Sequence, residues 1–171
     1  MPGRFTVAVL TVSDRCARGA TRDTAGPALA ELVQQELPAE IVAIACVPDE
    51  RAQIAAQLRA WALTAPRPDL ILTTGGTGLS PRDVTPEATR DVLERRHAGL
   101  HELMRLRCYP QTPRAFLSRG EAGAVGRTLI VNLPGSPRGS AEFLRAILDI
   151  LPHALEAVRG EEHHQDERSP L

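Results

Sequence analysis

Residues 69–87 decide the fold, and they read D-L-I-L-T-T-G-G-T-G-L-S-P-R-D-V-T-P-E. The apolar residues 70–72 predict a strand, which leads into the glycine-rich segment 75–78. Residues 85–87 are typical of a helix start, with threonine as cap, proline at the first position and an acid in the first turn. Glycines after a strand let backbone N–H groups approach a ligand, which suits phosphates and other anions. A tight turn without a ligand is the alternative interpretation.

The same alternation of strand and helix extends over most of the chain. Apolar, β-rich runs predict strands at residues 5–12, 41–47, 70–73 and 128–133, the first two of them buried. Apolar spacing predicts helices at residues 24–37, after Asp49, from Pro86 to before Gly99, at residues 100–108, at residues 113–117 and from Ser140 to Leu155. This order predicts an α/β fold, a three-layer sandwich with a mainly parallel sheet flanked by helices. We expect one domain over residues 1–160 and a polar, disordered tail over residues 161–171.

Polar loops follow the four predicted strands. Parallel strands place their carboxyl ends at one edge of the sheet, and ligands bind there in such folds. The loops are Ser13-Asp14, Pro48-Asp49, residues 75–83 and residues 132–137. We therefore expect one site rich in glycine, aspartate, serine and asparagine at this edge. Asn132 and Ser136 could equally serve the turn from strand to helix.

Asp83 is the strongest candidate for a functional side chain. Because Thr85 already supplies the helix cap, the sequence gives Asp83 no local role. A carboxylate beside an anion-binding loop repels the anion unless a divalent cation lies between them, and Mg²⁺ is bound through one or two carboxylates plus substrate phosphates. Asp49 leaves two roles open, since it could simply cap the helix that follows it. Ser13 and Asp14 could likewise be ordinary loop residues.

The composition excludes several classes of function. The 171 residues are 43% apolar and 24% charged, as in soluble globular domains. A net charge of −1 and 3% aromatic residues argue against binding of nucleic acid. All 20 basic residues are arginine, and the lack of lysine excludes the usual phosphate loop and Schiff-base chemistry. No run approaches the roughly 20 apolar residues of a membrane span, and no signal-peptide cleavage site is evident. We expect a cytoplasmic protein that binds neither nucleic acid nor membrane.

Histidine and cysteine residues predict no further site. His97 and His101 stand four residues apart, a spacing that can place two metal ligands on one helix face. No third ligand is evident, so we interpret them as a surface pair. Cys16, Cys46 and Cys108 are widely spaced without a C-x-x-C motif. This pattern favours a reduced setting over a disulfide framework.

Five segments, in order along the chain, carry a resemblance to a known family. They read T-V-S-D-R at 11–15, V-P-D-E-R at 47–51, L-T-T-G-G-T-G-L-S-P-R-D-V-T-P-E-A-T at 72–89, S-R-G-E-A-G at 118–123 and N-L-P-G-S-P at 132–137. The chain resembles the molybdopterin adenylyltransferase family, which includes the G domain of gephyrin. The resemblance covers residues 5–158, and its central block is long and specific.

The resemblance implies a fold, an activity and a set of site residues. Members of the family have the molybdopterin-binding fold and are usually trimers. They bind molybdopterin and ATP with Mg²⁺, transfer AMP to the terminal phosphate of molybdopterin and release pyrophosphate, which prepares the pterin for a metal-insertion protein. Asp49 and Asp83 correspond to the family's two important aspartates, implied here to be catalytic and to hold Mg²⁺ through the substrate phosphates. The positions that match the pterin and nucleotide pocket are Gly75, Gly76, Thr77, Gly78, Ser118, Arg119, Asn132, Pro134, Gly135 and Ser136.

A second function is compatible with the same motifs. The family also contains paralogues in which adenylyl transfer is weak or absent, so a molybdopterin-binding or carrier protein without catalysis is the alternative. Both aspartates are present, which favours the enzyme. A scaffolding role and a generic sugar- or nucleotide-binding domain have less support, because nothing in the sequence points to the first and the run of motifs argues against the second.

Overall fold

The computed structural model describes residues 4–161, in which strands and helices alternate. The strands are β1 (Phe5–Val12), β2 (Ala39–Val47), β3 (Leu70–Thr74), β4 (Arg95–Arg96), β5 (Ala122–Val125) and β6 (Thr128–Leu133). The α-helices are α1 (Asp14–Ala17), α2 (Ala25–Glu36), α3 (Arg51–Leu63), α4 (Thr85–Arg90), α5 (Ala98–Cys108), α6 (Pro137–Arg145) and α7 (Leu151–Arg159). A 3₁₀ helix (Pro113–Leu117) lies between α5 and β5.

All the strands form one sheet in the order β2-β1-β3-β6-β5-β4. The first four run parallel to their neighbours, while β5 and β4 add two antiparallel strands at one side. The predicted α/β fold with a mainly parallel sheet is therefore confirmed. Strands β3 and β6 are buried along their whole length and β1 nearly so, which explains why these segments are continuous apolar runs.

Helices cover both faces of the sheet and produce three layers. Helices α2, α5, α6 and α7 pack on one face, and α3 and α4 pack on the other. Side chains of β3 alternate between the two cores, with Leu70 and Leu72 in the first and Ile71 in the second. Burial on both faces fixes the register of this strand, so the loop at its carboxyl end has a defined position.

The second core offers a direct test of this packing. Ile71 is fully buried, and Ile71→Val should lower the free energy of unfolding by about 0.5–1.5 kcal/mol, because it removes one methylene and leaves a small cavity. Ile44 in β2 is 46% exposed, so Ile44→Val is the matched control and should change stability by less than about 0.5 kcal/mol. Chemical denaturation measures both variants, and equal losses would contradict the assigned packing.

Strand β2 differs from the prediction of a buried strand. It lies at the edge of the sheet, and Val42 and Ile44 are 48% and 46% exposed. Cys46, in the same strand, is only partly buried. An edge strand has a neighbouring strand on one side only and lies at the margin of the helix layers. An apolar sequence in such a strand therefore does not establish that helices cover both of its faces.

Two helix boundaries also differ from the prediction. The helix that begins near Pro86 ends at Arg90, because the chain turns there and Arg95–Arg96 pairs with β5. The predicted helix from Ser140 to Leu155 is two helices, α6 and α7, with Pro152 in the first turn of α7. Proline lacks the N–H that a continuous helix requires, which explains the break. The predicted loop after Ser13 also contains the short helix α1.

Two expectations about the whole chain can be compared with the described part. No helix within residues 4–161 is both long enough and apolar enough to cross a membrane. The polar tail expected over residues 161–171 lies, apart from Glu161, outside the described residues. The domain boundaries stay a prediction.

Candidate active site

The loops that follow β1, β2, β3 and β6 lie together at the carboxyl ends of these strands. The backbone N–H of Asp14 donates to Asp49 Oδ2 (2.9 Å), and the N–H of Asp49 donates to Asp14 Oδ1 (3.0 Å). Thr74 Oγ1 donates to the carbonyl oxygen of Pro134 (2.8 Å). The loops expected to converge are therefore joined in pairs by hydrogen bonds, β1 with β2 and β3 with β6.

Glycine is required at the first two positions of the glycine-rich segment. Gly75 and Gly76 have φ angles of +107° and +67°, which L side chains rarely adopt. A Cβ would also collide with the Val12 carbonyl at Gly75 and with the Thr85 hydroxyl at Gly76. Thr85 Oγ1 donates to the Gly75 carbonyl (2.9 Å), and the Thr85 N–H donates to the Gly76 carbonyl (3.1 Å). Thr85 therefore holds the loop, and the side-chain cap predicted for α4 is not formed.

The same segment presents unused backbone donors to a large cavity. Within the described residues, the N–H groups of Gly76, Thr77 and Gly78 donate to no protein acceptor. All three residues line a cavity of about 710 Å³. Successive backbone N–H groups without a protein acceptor can form an anion-binding concavity. The backbone geometry is thus suited to phosphate oxygens.

Asp83 lies beside these donors and has a local role that the sequence did not reveal. Its Oδ2 accepts a hydrogen bond from the Ser80 N–H (3.0 Å), which closes the turn at the end of the loop. The same oxygen faces Gly78, where a Cβ would lie 2.8 Å away. The premise that Asp83 has no local role is wrong, although its Oδ1 makes no hydrogen bond within the described residues and the residue lines the cavity.

Asp49 is not the cap of α3, because Glu50 occupies that position and makes no side-chain cap. The Asp49 carboxylate accepts the Asp14 N–H, and its other oxygen lies toward Gly76. Burial raises the pKa of Asp49, and the neighbouring carboxylates of Asp14 and Asp83 raise it further, against the opposing hydrogen bond from Asp14. This repulsion indicates a place where a cation would be stabilised.

The carboxylate of Asp14 is paired with Arg82, an arginine that the sequence analysis did not single out. Arg82 donates to both Asp14 carboxylate oxygens (2.7–3.1 Å) and to Glu50 (3.2 Å). The Arg82 hydrogen bonds lower the pKa of Asp14. Ser13 caps α1 by accepting the Cys16 N–H (3.3 Å). Arg82 directly precedes Asp83 in the S-P-R-D motif, and this position next to a predicted site residue could have indicated that Arg82 belongs to the site.

Arg119 fixes the glycine-rich segment from the opposite side. Its Nε donates to the Gly78 carbonyl (2.8 Å), its Nη2 to the Asp83 carbonyl (2.7 Å) and its backbone N–H to the Thr77 carbonyl (2.8 Å). Its Nη1 forms an ion pair with Glu87. The guanidinium is therefore used in shaping the loop. Ser118, one residue earlier, lines the large cavity.

Asn132 does not reach the cavity. It is fully buried, and its Nδ2 donates to Thr73 Oγ1 (3.0 Å) and Thr89 Oγ1 (2.9 Å). Its Oδ1 accepts the Glu121 N–H (3.0 Å). All the hydrogen-bonding groups of this amide are used, so Asn132 joins β6 to β3, α4 and the start of β5 beneath the site.

The loop after β6 separates two cavities. Pro134, Gly135 and Ser136 line the large cavity, and Ser136 also caps α6 by accepting the Gly139 N–H (3.0 Å). A second cavity of about 410 Å³ lies between the loops after β1 and β3. Gly76 and Gly135 line both cavities. The two cavities therefore share wall residues from the glycine-rich segment and from the loop after β6.

Residues 8–153 match the family described as "Probable molybdopterin binding domain". The chain belongs to this family. Its relatives include the molybdenum cofactor synthesis protein cinnamon of Drosophila melanogaster, 44% identical over 154 residues, which cover 90% of this chain and 26% of cinnamon. The chain thus spans about a quarter of that relative's length. The molybdopterin adenylyltransferase of Helicobacter pylori strain J99 is 38% identical over 160 residues, which cover 90% of this chain and 88% of the relative.

The fold of the family is also found in solved structures. The crystal structure of the molybdopterin biosynthesis enzyme MoaB from Thermus thermophilus matches with a TM-score of 0.85 at 54% sequence identity. The match covers 91% of this chain and 97% of the MoaB chain. The predicted molybdopterin-binding-like fold is therefore confirmed.

The Mg²⁺ expected from the family resemblance can be tested against the geometry. Within residues 4–161, no group of three or more His, Cys, Asp or Glu side chains could hold a metal ion. The Asp49 and Asp83 carboxylates face Gly76 and Gly78, where added Cβ atoms would lie 3.2 Å and 2.8 Å from them. Side chains there would fill the space in front of both carboxylates. The site fits an ion held by one or two carboxylates plus substrate phosphates.

His101 contradicts the interpretation of a surface pair. Its ring is 2% exposed, lies against Gly120 and Phe143, and makes no hydrogen bond through either nitrogen within the described residues. His97 is exposed, as expected. Burial, followed by the nearby charge of Arg105, lowers the pKa of His101 to about 4. The ring is thus a buried, neutral side chain in contact with Gly120 and Phe143.

Proposed function

We propose that this protein is a molybdopterin adenylyltransferase that transfers AMP from Mg-ATP to the terminal phosphate of molybdopterin and releases pyrophosphate. The observation that carries the proposal is the set of three free N–H groups at Gly76, Thr77 and Gly78 beside the carboxylates of Asp49 and Asp83. The relative of this name from Helicobacter pylori, aligned over 88% of its length, gives further support.

In the proposed reaction a terminal phosphate oxygen of molybdopterin attacks the α-phosphorus of ATP. A new bond forms between that oxygen and the α-phosphorus. The bond from the α-phosphorus to the oxygen that bridges to the β-phosphorus breaks, and pyrophosphate leaves with its electron pair. The substrate itself supplies the nucleophile, so the protein contributes mainly positioning and neutralisation of charge.

The residues of the site have distinct parts in this proposal. The N–H groups of Gly76, Thr77 and Gly78 bind phosphate oxygens. Asp49 and Asp83 would hold Mg²⁺, which supplies neutralisation of the phosphate charge when bound. Asp14, Arg119 and Asn132 act indirectly by holding the loops. The remaining predicted residues line the cavities: Ser118, Pro134, Gly135 and Ser136 the large one, and Ser13, Gly75 and Gly135 the second one. The two cavities would take the two substrates, which would meet at Gly76 and Gly135.

We also propose a cytoplasmic homotrimer that hands its product to a metal-insertion protein. The family resemblance supports the trimer, and the exposed Val42 and Ile44 offer an apolar surface for a partner copy to cover. Light scattering coupled to size-exclusion chromatography should give three times the chain mass of 18.5 kDa. A monomer at micromolar concentration would contradict this assembly.

The test of the function is pyrophosphate release from ATP, with molybdopterin and Mg²⁺ each present or omitted. The proposal predicts release only when ATP, pterin and metal are all present. Release without molybdopterin would indicate simple ATP hydrolysis. Tight binding of molybdopterin without release under any condition would identify a binding or carrier protein, and the catalytic roles of Asp49 and Asp83 would then be wrong.

A further inference from the structure

The arginines around the large cavity differ in how their guanidinium groups are used. Arg119 is bound by backbone carbonyls and by Glu87. Arg138 lines the cavity and donates to Glu142 (2.8 Å), one turn further along α6. Arg114 also lines the cavity, but its guanidinium has no hydrogen bond or ion pair with any residue in the range 4–161. An arginine exposed beside a cavity without a partner is available to a ligand.

The segment that carries Arg114 is held at both ends. Thr112, just before the 3₁₀ helix, donates its hydroxyl to Glu142 (3.0 Å). Ser118, just after it, accepts a hydrogen bond at its carbonyl from Arg105 (3.3 Å). The backbone at Arg114 therefore has a defined position on the cavity wall, while its side chain remains exposed.

The charges that line the cavity leave Arg114 uncompensated. Glu142 is balanced by Arg138, and Asp83 is the carboxylate assigned above to the metal. Within the described residues, an anionic substrate in this cavity would therefore meet the unpaired guanidinium of Arg114. Arginine presents a planar fork of donors that matches phosphate oxygens in a bidentate manner.

We infer that Arg114 binds a phosphate group of a substrate at the large cavity and determines its affinity. This inference rests on the proposed function and adds a specificity residue to it. Both substrates carry phosphate, so the group bound is either the terminal phosphate of molybdopterin or the phosphate chain of ATP. Arg114 makes no hydrogen bond to the glycine-rich segment, so its substitution leaves the loop and its free N–H groups in place, and we expect the effect mainly in binding.

The experiment compares Arg114→Ala, Arg114→Lys and the unmodified protein in direct binding. Molybdopterin is titrated without nucleotide, and the non-hydrolysable analogue α,β-methylene-ATP is titrated with Mg²⁺ and without pterin. Arg114→Ala should weaken one of the two by about ten-fold, which corresponds to about 1.4 kcal/mol. Arg114→Lys should lose about three-fold, because lysine keeps the charge without the fork. In turnover the same substrate should show the increase in KM, with kcat nearly unchanged.

Arg127→Ala is the matched control. Arg127 is exposed, and its side chain has no hydrogen bond or ion pair within the described residues. It directly precedes β6, so it lies at the amino end of that strand, whereas the site lies at the carboxyl end. If Arg114→Ala and Arg127→Ala bind both ligands like the unmodified protein, the inference is wrong while the proposed function stands. If the unmodified protein binds neither ligand, the proposed function fails and the inference fails with it. Weaker binding of molybdopterin alone, or of the nucleotide alone, supports the inference and identifies the phosphate.

Discussion

We expect Asp83→Asn to lower kcat for pyrophosphate release by about 10²–10³-fold, the scale seen when one electrostatic group is removed from a preorganised site. Asparagine keeps the shape of the side chain and can still accept the Ser80 N–H that closes the turn. The variant therefore removes the charge while retaining the loop. Single-turnover measurements with saturating molybdopterin and Mg-ATP would separate the chemical step from product release.

A titration with Mg²⁺ distinguishes loss of a metal ligand from loss of structure. If Asp83 holds the ion, the Mg²⁺ concentration for half-maximal rate should rise in Asp83→Asn, while molybdopterin binding without metal stays unchanged. Asp149→Asn is the control, because Asp149 forms an exposed ion pair with Arg107 in the turn after α6. An unaltered rate in Asp83→Asn would show that this carboxylate has no part in the reaction.

The sequence predicted those parts of the fold that depend on local pattern. Strands β1, β3 and β6 were recognised because burial on both faces makes them continuous apolar runs. Strand β4 could not be recognised, since Arg95–Arg96 is exposed and its strand geometry comes only from pairing with β5. Pro152 indicates the break between α6 and α7, but the apolar spacing over residues 140–155 is compatible with one continuous helix and led to that prediction.

At the site, the sequence predicted which loops converge but not how their side chains are used. Asp14 and Asp49 are 35 residues apart, and their reciprocal hydrogen bonds depend on the parallel pairing of β1 with β2. Asn132 follows an apolar run and was expected in the pocket, yet its amide is consumed by neighbours that no local pattern identifies. Polar residues at strand ends can face either the ligand or the core, and only the packing decides between them.

The orientation of His101 likewise could not be predicted from the sequence, and its burial predicts a large effect of pH on stability. Its position on α5 is compatible with a surface pair, but the helix turns this residue inward against Gly120 and Phe143. Burial of the two unpaired nitrogens already has a cost for the neutral imidazole, and burial of an imidazolium in the same place would cost far more, because a charge would lose its hydration. The folded protein should therefore resist protonation of this ring.

The pKa of about 4 for His101, against an ordinary value of 6.5, means that the unfolded chain binds the proton first as the pH falls. Above about pH 6.5 the ring is neutral in both states and does not reduce the free energy of unfolding. Between about pH 6.5 and pH 4 the unfolded chain binds the proton and the folded protein does not, so the free energy of unfolding falls by about 3 kcal/mol in total. His101→Leu removes the titrating group, so its free energy of unfolding should change less over this range. Urea denaturation between pH 7.5 and pH 4 gives the difference from the unmodified protein. His97→Leu, at an exposed position, should keep the original slope. Parallel slopes for the unmodified protein and His101→Leu would show that the ring is not held neutral in the folded state.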